Sequence, residues 1–230
     1  MPIVQCKNLV KTYRQGEVTV NALRDVSLEV EKGGFLALAG PSGSGKTTVL
    51  NLIGSLDRAD SGTISVDGRE YSRMNSAALA ELRLHKIGFV FQAYNLIPVL
   101  SALENVEYVM LLQGVAPKER MARAQAILDD VGLGDKGDRR PAELSGGQQQ
   151  RVAVARAIVS NPAIVLADEP TANLDSKTGQ ELLELMLAMN TEKGVTFIFS
   201  THDQMVMEYA RRLVHIRDGR IAGDESKQGG

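Results

Sequence analysis

The sequence predicts an α/β fold built on a mostly parallel central sheet with flanking helices. Three short apolar runs indicate the sheet, at residues 35–39, 163–167 and 195–199. Each run is too short for a buried helix and lacks period-2 alternation, as is typical of parallel strands covered on both faces. Helical patterns follow these runs at residues 46–53, 176–189 and 204–213. Repeated strand–helix alternation implies parallel strands joined by right-handed crossovers.

Two other parts of the chain depart from this alternation. Asp-Gly pairs at residues 67–68 and 218–219 predict tight hairpins, so we expect antiparallel strands beside the parallel core, including an N-terminal antiparallel β part. Between about residues 102 and 160 the pattern is almost wholly helical.

We interpret that helical stretch as a subdomain inserted into the α/β core. The chain then forms a single domain over residues 1–230. Its core comprises about residues 1–92 and 161–230, and its helical subdomain about residues 93–160. No internal repeat is visible, which argues against a tandem of two such units.

The composition is that of a soluble globular protein. Of 230 residues, 43% are hydrophobic and 23% are charged, with a formal net charge of −2. No basic block dominates, so we expect no nucleic acid among the partners. The longest uncharged stretch, residues 87–103, contains Gln92, Asn95 and Pro98 and does not resemble a membrane span. No secretory signal is visible either, so membrane association would come through a partner.

The single cysteine, Cys6, excludes an internal disulfide and fits a reducing compartment. Its apolar neighbours Ile3, Val4 and Leu9 suggest a buried strand. We therefore expect a packed thiol and not a reactive one.

A glycine-rich loop follows the first apolar run and leads into a helix. Residues 40–47 match G-x-x-x-x-G-K-[ST] in the required strand–loop–helix context. The glycines let backbone N–H groups form a nest for phosphate oxygens at the positive helix end. Lys46 supplies a charge for the outer phosphates, and the Thr47 hydroxyl suits Mg²⁺. The predicted triphosphate contacts are Gly40, Ser42, Gly43, Ser44, Gly45, Lys46, Thr47 and Thr48.

Polar residues also follow the other two apolar runs. Asp168 and Glu169 follow the second run, and His202 follows the third. Because ligands bind beyond the carboxyl ends of such strands, these side chains should meet the glycine-rich loop. We predict that Asp168 holds Mg²⁺, that Glu169 orients or deprotonates the attacking water and that His202 contacts the terminal phosphate. The alternatives are that the carboxylates cap a helix and that His202 is structural.

A second anion site is predicted at residues 144–148, Leu-Ser-Gly-Gly-Gln, which open a helical run. Ser145 suits an N-cap, and Gly146 and Gly147 expose N–H groups at the helix start. Unlike the first site, this one lacks a lysine. Two copies meeting head to tail would hold each triphosphate between the Lys46 loop of one protomer and the Ser145 turn of the other.

These motifs resemble, over nearly the whole chain, those of the ATP-binding cassette (ABC) ATPases. The match at residues 144–148, lying between the glycine-rich loop and Asp168, is the most specific. The resemblance implies a P-loop NTPase core, ATP as substrate and Mg²⁺ as cofactor. It also implies that Gln92 reaches Mg²⁺ and the water and that Tyr13 stacks on adenine. An ordinary strand-end tyrosine is the alternative for Tyr13.

The resemblance assigns the remaining roles. Its catalytic set is Lys46, Gln92, Glu169 and His202, the last as the switch histidine. Its metal set is Thr47, Gln92 and Asp168. The partner protomer would contribute Ser145, Gly146, Gly147, Gln148 and Asp175 in trans.

An apolar segment follows Gln92 and comprises Leu96, Ile97, Pro98, Val99 and Leu100. In the ABC family this segment forms part of a groove for a membrane permease; the alternative is that it is subdomain core. Residues 91–98, 103–106 and 166–175 are similar to the bacterial lipoprotein-release, macrolide-export and cell-division subgroup. Ala172 and Gln149 depart from many of its members, which have glycine and glutamate there.

The resemblance implies an ATPase subunit at the cytoplasmic face of the inner or plasma membrane, forming a homodimer on ATP binding. It would power a permease that exports substrates or extracts lipoproteins or lipids. The alternative is a cell-division type ATPase that signals mechanically without moving cargo. Neither the transported substrate nor the permease follows from the sequence.

Overall fold

The computed structural model describes residues 1–16 and 18–227, which form two β-sheets and seven α-helices. The strands are β1 (Val4–Gln15), β2 (Val18–Val30), β3 (Phe35–Ala39), β4 (Ser61–Val66), β5 (Arg69–Glu70), β6 (Ile87–Val90), β7 (Ile164–Asp168), β8 (Phe197–Thr201), β9 (Arg212–Arg217) and β10 (Arg220–Ser226). The helices are α1 (Lys46–Ile53), α2 (Ser76–Lys86), α3 (Ala102–Leu112), α4 (Pro117–Asp130), α5 (Gly146–Ile158), α6 (Ser176–Lys193) and α7 (Gln204–Tyr209).

The larger sheet has the strand order β10-β9-β3-β8-β7-β6, and its strands pair in parallel except for the β9–β10 hairpin at one edge. Both faces of its central strand are buried. Phe35 and Ala37 of β3 pack in one hydrophobic cluster, with α3 to α6, while Leu36 and Leu38 pack in the other, with α1 and the smaller sheet. Burial of alternate residues on both sides explains why the run is continuously apolar.

The smaller sheet is antiparallel, with the order β2-β1-β4-β5. Both predicted hairpins are present. Asp67 and Gly68 join β4 to β5, Asp218 and Gly219 join β9 to β10, and all four have positive φ values between 49° and 74°. Consecutive left-handed residues match the right-handed twist of the flanking strands, which explains the Asp-Gly pairs. Cys6 of β1 is 1% exposed, and burial raises the pKa of its thiol to about 12, as expected for a packed thiol.

Helices α3, α4 and α5 pack on one another, and α5 also packs against the edge strand β6. A Cβ on Gly88 of β6 would lie 2.3 Å from the Ala157 carbonyl oxygen, so glycine permits this close approach. The α3 helix begins with a capping box between Ser101 and Glu104. Along the described residues, none of the helices combines the length and apolar character that crossing a bilayer requires.

The predicted α/β class with an antiparallel part and a helical region is confirmed, with shifts at several boundaries. The helix predicted at residues 204–213 ends at Tyr209, because Ala210 is extended and Leu213 already pairs with Ala37 of β3. The third predicted run is displaced: β8 extends to Thr201, since Ser200 and Thr201 pair with β7 and β3. The division into core and subdomain at residues 92 and 161 stays a prediction.

Candidate active site

A cleft of about 580 Å³ lies at the carboxyl edge of the parallel strands. It brings together most of the site residues predicted for one protomer, which are Tyr13, Ser42, Gly43, Ser44, Gly45, Lys46, Thr47, Thr48, Gln92, Asp168, Glu169 and His202. Val20, Asn21, Ala22, Arg24, Asp218 and Gly219 complete the lining and were not predicted.

Another cleft, of about 500 Å³, lies at the opposite edge, where the strands begin. Two of its lysines are paired with carboxylates of the same cleft: Lys86 contacts Asp67 at 2.7 Å, and Lys193 pairs with Asp130. Helices α2, α5 and α6 end at this cleft, and helix carboxyl ends carry partial negative charge, whereas α1 begins at the carboxyl edge of the sheet. The carboxyl edge is therefore the better candidate for an anionic ligand.

The glycine-rich loop depends on its glycines for its shape. Gly40, Gly43 and Gly45 have φ values of 153°, 76° and 110°. A Cβ on Gly40 would lie 2.2 Å from the Ile216 carbonyl oxygen, and one on Gly45 would lie 2.7 Å from that of Ala22. No side chain caps α1 after Gly45, so the first N–H groups of the helix are free to meet an anion.

Lys46 is only 5% exposed and is held by the loop that precedes it. Its ammonium donates to the carbonyls of Gly40 at 2.7 Å and Pro41 at 2.9 Å. Gly40 therefore lies against Lys46 although it is not part of the cleft lining. Beside it, the buried Ser44 hydroxyl has no hydrogen-bond partner among the described residues. These groups could hold phosphate oxygens.

Thr47 and Asp168 form a pair of oxygen ligands from two separate elements. The Thr47 hydroxyl donates to Asp168 Oδ1 at 3.0 Å and lies 3.5 Å from the Ser200 hydroxyl. One carboxylate and one hydroxyl, together with phosphate oxygens, suit Mg²⁺. Gln92 is exposed at the cleft, where its amide could join this set. The donor types therefore fit Mg²⁺.

Both carboxylate oxygens of Glu169 contact neighbouring side chains. Its Oε2 accepts from the Thr201 hydroxyl at 3.1 Å, and its Oε1 lies 2.7 Å from His202 Nδ1. The carboxylate is 15% exposed, whereas the imidazole is 66% exposed. Glu169 also has a left-handed backbone, with φ 46°, which is costly for this residue type and often marks functional sites. The carboxylate is thus fixed in orientation next to the Thr47–Asp168 pair.

Tyr13 lies at the mouth of the cleft and is 39% exposed. Its hydroxyl donates to Asp57 Oδ2 at 2.8 Å, and the Lys11 ammonium lies 5.0 Å from its ring centroid. Burial and the neighbouring Asp57 carboxylate raise the pKa of Tyr13. The ring is therefore held as a platform on which a planar base could stack.

The family model described as ABC transporter matches residues 23–172. The chain belongs to the ABC transporter family. An uncharacterised ABC transporter ATP-binding protein of Thermotoga maritima is 51% identical over 98% of this chain and 96% of its own length. The macrolide export ATP-binding/permease protein MacB of Syntrophobacter fumaroxidans is 48% identical over 100% of this chain, but this chain spans only 32% of that protein.

Two solved structures are also similar, both of the ABC cassette MJ0796 as a dimer. One is described as a post-hydrolysis state bound to ADP and Pi. Each has a TM-score of 0.90 and 42% sequence identity, and the match covers 99% of this chain and 100% of the other. The expected ABC ATPase fold is therefore confirmed.

The residues predicted to act in trans do not line the cassette's own cleft. Ser145 is exposed and caps α5: its Oγ accepts from the Gln148 N–H at 3.3 Å, and Gln148 Oε1 accepts from the Ser145 N–H at 3.0 Å. Asp175 is exposed and caps α6. A Cβ on Gly147 would lie 2.3 Å from Thr178 Cγ2, which explains that glycine. Gly146 completes the turn.

Sequence reasoning missed the buried polar residue that shapes the apolar segment of this cassette. Asn105 of α3 is fully buried. Its Oδ1 accepts from the Ile97 N–H at 2.8 Å. Its amide nitrogen donates to the carbonyls of Ile97 at 3.2 Å, Leu100 at 3.1 Å and Ser101 at 2.9 Å. Its helical spacing from the apolar residues Ala102 and Val109, three residues before and four after, was the available signal. Its hydrogen bonds hold the backbone of residues 96–100 in a defined loop.

Proposed function

We propose that the chain binds Mg-ATP in this cleft, hydrolyses it as a head-to-tail homodimer and drives a separate membrane permease. The observation that carries the proposal is the Glu169 carboxylate, oriented by Thr201 and His202 beside the Thr47–Asp168 pair. Membership of the ABC transporter family supports ATP as the nucleotide.

The glycine-rich loop and the Tyr13 ring would bind the nucleotide. The N–H groups at the start of α1 and the Lys46 ammonium receive the phosphates, and the Tyr13 ring receives adenine. Thr47, Asp168 and Gln92 would hold Mg²⁺, which when bound would supply positive charge at the phosphates. Together these contacts orient the terminal phosphate toward Glu169.

Hydrolysis requires a water molecule positioned for in-line attack. Glu169 accepts a hydrogen bond from that water and so orients or deprotonates it. Thr201 and His202 hold the two carboxylate oxygens, which limits the orientations that the side chain can adopt. The exposed imidazole of His202 can also contact the γ-phosphate.

The homodimer supplies the groups that a single protomer's cleft lacks. Ser145, Gly146, Gly147, Gln148 and Asp175 would reach the γ-phosphate side of the partner's nucleotide. Their position outside their own cleft supports this arrangement, as do the dimeric MJ0796 structures.

A permease would dock at residues 96–100, at the cytoplasmic face of the inner or plasma membrane. Val99 is 72% exposed and is the best candidate contact, whereas Leu96 packs against the hydrophobic core. The MacB relatives, described as macrolide export ATP-binding/permease proteins, support an export role, and extraction of lipoproteins or lipids is proposed from the subgroup resemblance alone. A partner that only signals would use the same docking surface, and co-purification of the native partner separates these two cases.

Glu169→Gln tests the catalytic assignment. The amide is nearly isosteric but is a poor base, so turnover should fall about a hundredfold while ATP binding is retained. The variant should also accumulate as an ATP-dependent dimer in size-exclusion chromatography with light scattering. Glu192→Gln, at an exposed position of α6, is the matched control and should behave as wild type. Unchanged turnover in Glu169→Gln would contradict the proposed role.

Val99→Asp tests the docking site. A charge at this exposed apolar position should abolish binding to the permease and leave hydrolysis by the isolated chain unchanged. The control is Ala222→Asp, at an exposed position of β10. This strand and β6, which leads into the docking segment, are the two opposite edges of the larger sheet. Equal permease binding by both variants in a pull-down would rule out this surface.

A further inference from the structure

Helix α5 reaches from the Ser145 turn to the backbone on both sides of Gln92. We propose that Gln150 and Arg156, on this helix, are positioning residues that transmit movement of the Ser145 turn to Gln92. The inference rests on the proposed homodimeric ATPase. Neither residue lines the nucleotide cleft, so neither is expected to contact ATP in its own protomer.

Gln150 is fully buried and donates its amide to two chain segments. Its Nε2 lies 2.8 Å from the Pro170 carbonyl oxygen, just after Glu169, and 3.4 Å from that of Phe91, just before Gln92. Its Oε1 has no hydrogen-bond partner among the described residues. A buried polar side chain is costly unless its hydrogen bonds compensate, and here they join the strand ends that carry Gln92 and Glu169.

Arg156 holds the backbone on the other side of Gln92. Its guanidinium donates to the carbonyls of Tyr94 at 2.9 Å and Asn95 at 2.6 Å. Both residues have left-handed backbones, with φ 59° and 51°, a conformation that is unfavourable for tyrosine in particular. The planar fork of arginine is suited to hold two adjacent carbonyls in this strained turn.

A third contact holds the backbone at Gln92 itself. The Asn173 amide, in the loop after Glu169, donates to the Gln92 carbonyl at 2.8 Å. The main chain at Gln92 is therefore held before, at and after this residue by α5 and the loop after Glu169. The close approach of α5 to β6 at Gly88 adds a rigid packing contact. Displacement of α5 should consequently displace Gln92, and its alignment with Mg²⁺ should depend on contact of the Ser145 turn with the partner's nucleotide.

The test compares Gln150→Met and Arg156→Met with Gln149→Met. Methionine keeps most of the side-chain volume and removes the donors. Gln149 is the neighbouring glutamine, and its amide donates only within its own helix start, to the Leu144 carbonyl at 3.1 Å. Measurements are kcat by phosphate release, ATP affinity by calorimetry and the thermal unfolding midpoint. Arg156→Lys keeps the positive charge but lacks the planar guanidinium. This variant is measured instead if the methionine variants do not fold.

We expect kcat to fall about tenfold in the Gln150 and Arg156 variants, with ATP affinity and unfolding midpoint close to wild type. The Gln149 variant should keep wild-type kcat. The inference is overturned if kcat is unchanged, or if kcat, affinity and midpoint fall together, which would indicate a purely structural role. Absence of ATPase activity in the wild type would instead reject the proposed function itself.

Discussion

Two helices of this chain, α1 and α5, begin with glycine-containing turns that satisfy their backbones differently. The turn before α1 has no side-chain cap and lies next to the Lys46 ammonium. The turn before α5 is capped by Ser145, whose hydroxyl accepts from the Gln148 N–H. The first turn therefore offers uncapped donors and a full charge, while the second has one donor already engaged and no lysine.

This difference indicates an order of binding. A triphosphate should bind first to the α1 turn of one protomer, where charge and free N–H groups coincide. The α5 turn has only the helix dipole and its remaining donors, so it should bind the same nucleotide only when a second protomer presents it. Under the proposed function, one fold motif would serve primary binding in one place and dimer-dependent recognition in the other.

The largest effect is expected for Lys46→Met, which removes the charge that distinguishes the two turns. Hydrolysis should fall about a thousandfold, since both phosphate binding and transition-state stabilisation lose a preorganised donor. Phosphate-release assays measure this, with Lys7→Met, at an exposed position of β1, as the control. Wild-type hydrolysis in the Lys46 variant would show that the α1 turn is not the primary site.

Ser145→Asp should separate capping from phosphate recognition at the α5 turn. Aspartate is as good an N-cap as serine, so the thermal midpoint should hold, but its charge should repel the partner's γ-phosphate. Hydrolysis should fall about a hundredfold and ATP-dependent dimers should be lost, with ATP affinity of the monomer unchanged. Ser101→Asp, at the similar capping box of α3, should leave the thermal midpoint, hydrolysis, dimer formation and ATP affinity unchanged. Retained dimers would argue against recognition in trans.

Tyr13 further distinguishes the two turns, because a ring that stacks on adenine is proposed beside the α1 turn and not beside the α5 turn. Tyr13→Ala should raise the Kd for ATP about tenfold, the usual contribution of stacking on an aromatic ring, without changing kcat. Tyr13→Phe keeps the ring and loses only the bond to Asp57, so its effect should be about threefold or less. Calorimetric titration distinguishes them, and equal Kd values for the alanine variant and wild type would remove Tyr13 from the site.

The smallest effect concerns pH. Burial alone would raise the pKa of Asp57, but hydrogen bonds from Lys11, Tyr13 and the Arg58 N–H hold it below its usual range. Its contribution to stability is therefore fully present above its unfolded pKa of about 4 and is lost as pH falls through the lower folded pKa. Asp57→Asn should reduce the thermal midpoint slightly at neutral pH, and this difference should vanish in acid. A difference that persists at low pH would contradict this origin.

Much of the candidate site was predictable because its residues lie where local patterns end. Residues 40–47 and His202 follow buried strands and Asp168 is the last residue of one, and parallel strands bring their carboxyl ends to one edge. Strand ends were less predictable. Thr201 is polar yet belongs to β8, because its backbone pairs with Ala39 of β3.

Other site residues could not be predicted because their importance depends on contacts between distant segments. Asp57 is 44 residues from Tyr13, and Gln150 is 59 residues from Phe91. Asn105 follows a charged residue in the sequence and does not stand out as buried, and only its hydrogen bonds to Ile97, Leu100 and Ser101 reveal that it holds a loop.

The sequence by itself determined the α/β class, the glycine-rich loop and the capped turn at Ser145, because glycine positions, caps and burial patterns act over a few residues. Tertiary structure alone decided how Glu169 is oriented, how Tyr13 is held and how α5 connects to Gln92. Those properties arise from hydrogen bonds between segments that are distant in the sequence and that only the folded sheet and helices bring together. The Thr201 hydroxyl, for example, donates to Glu169 Oε2 at 3.1 Å.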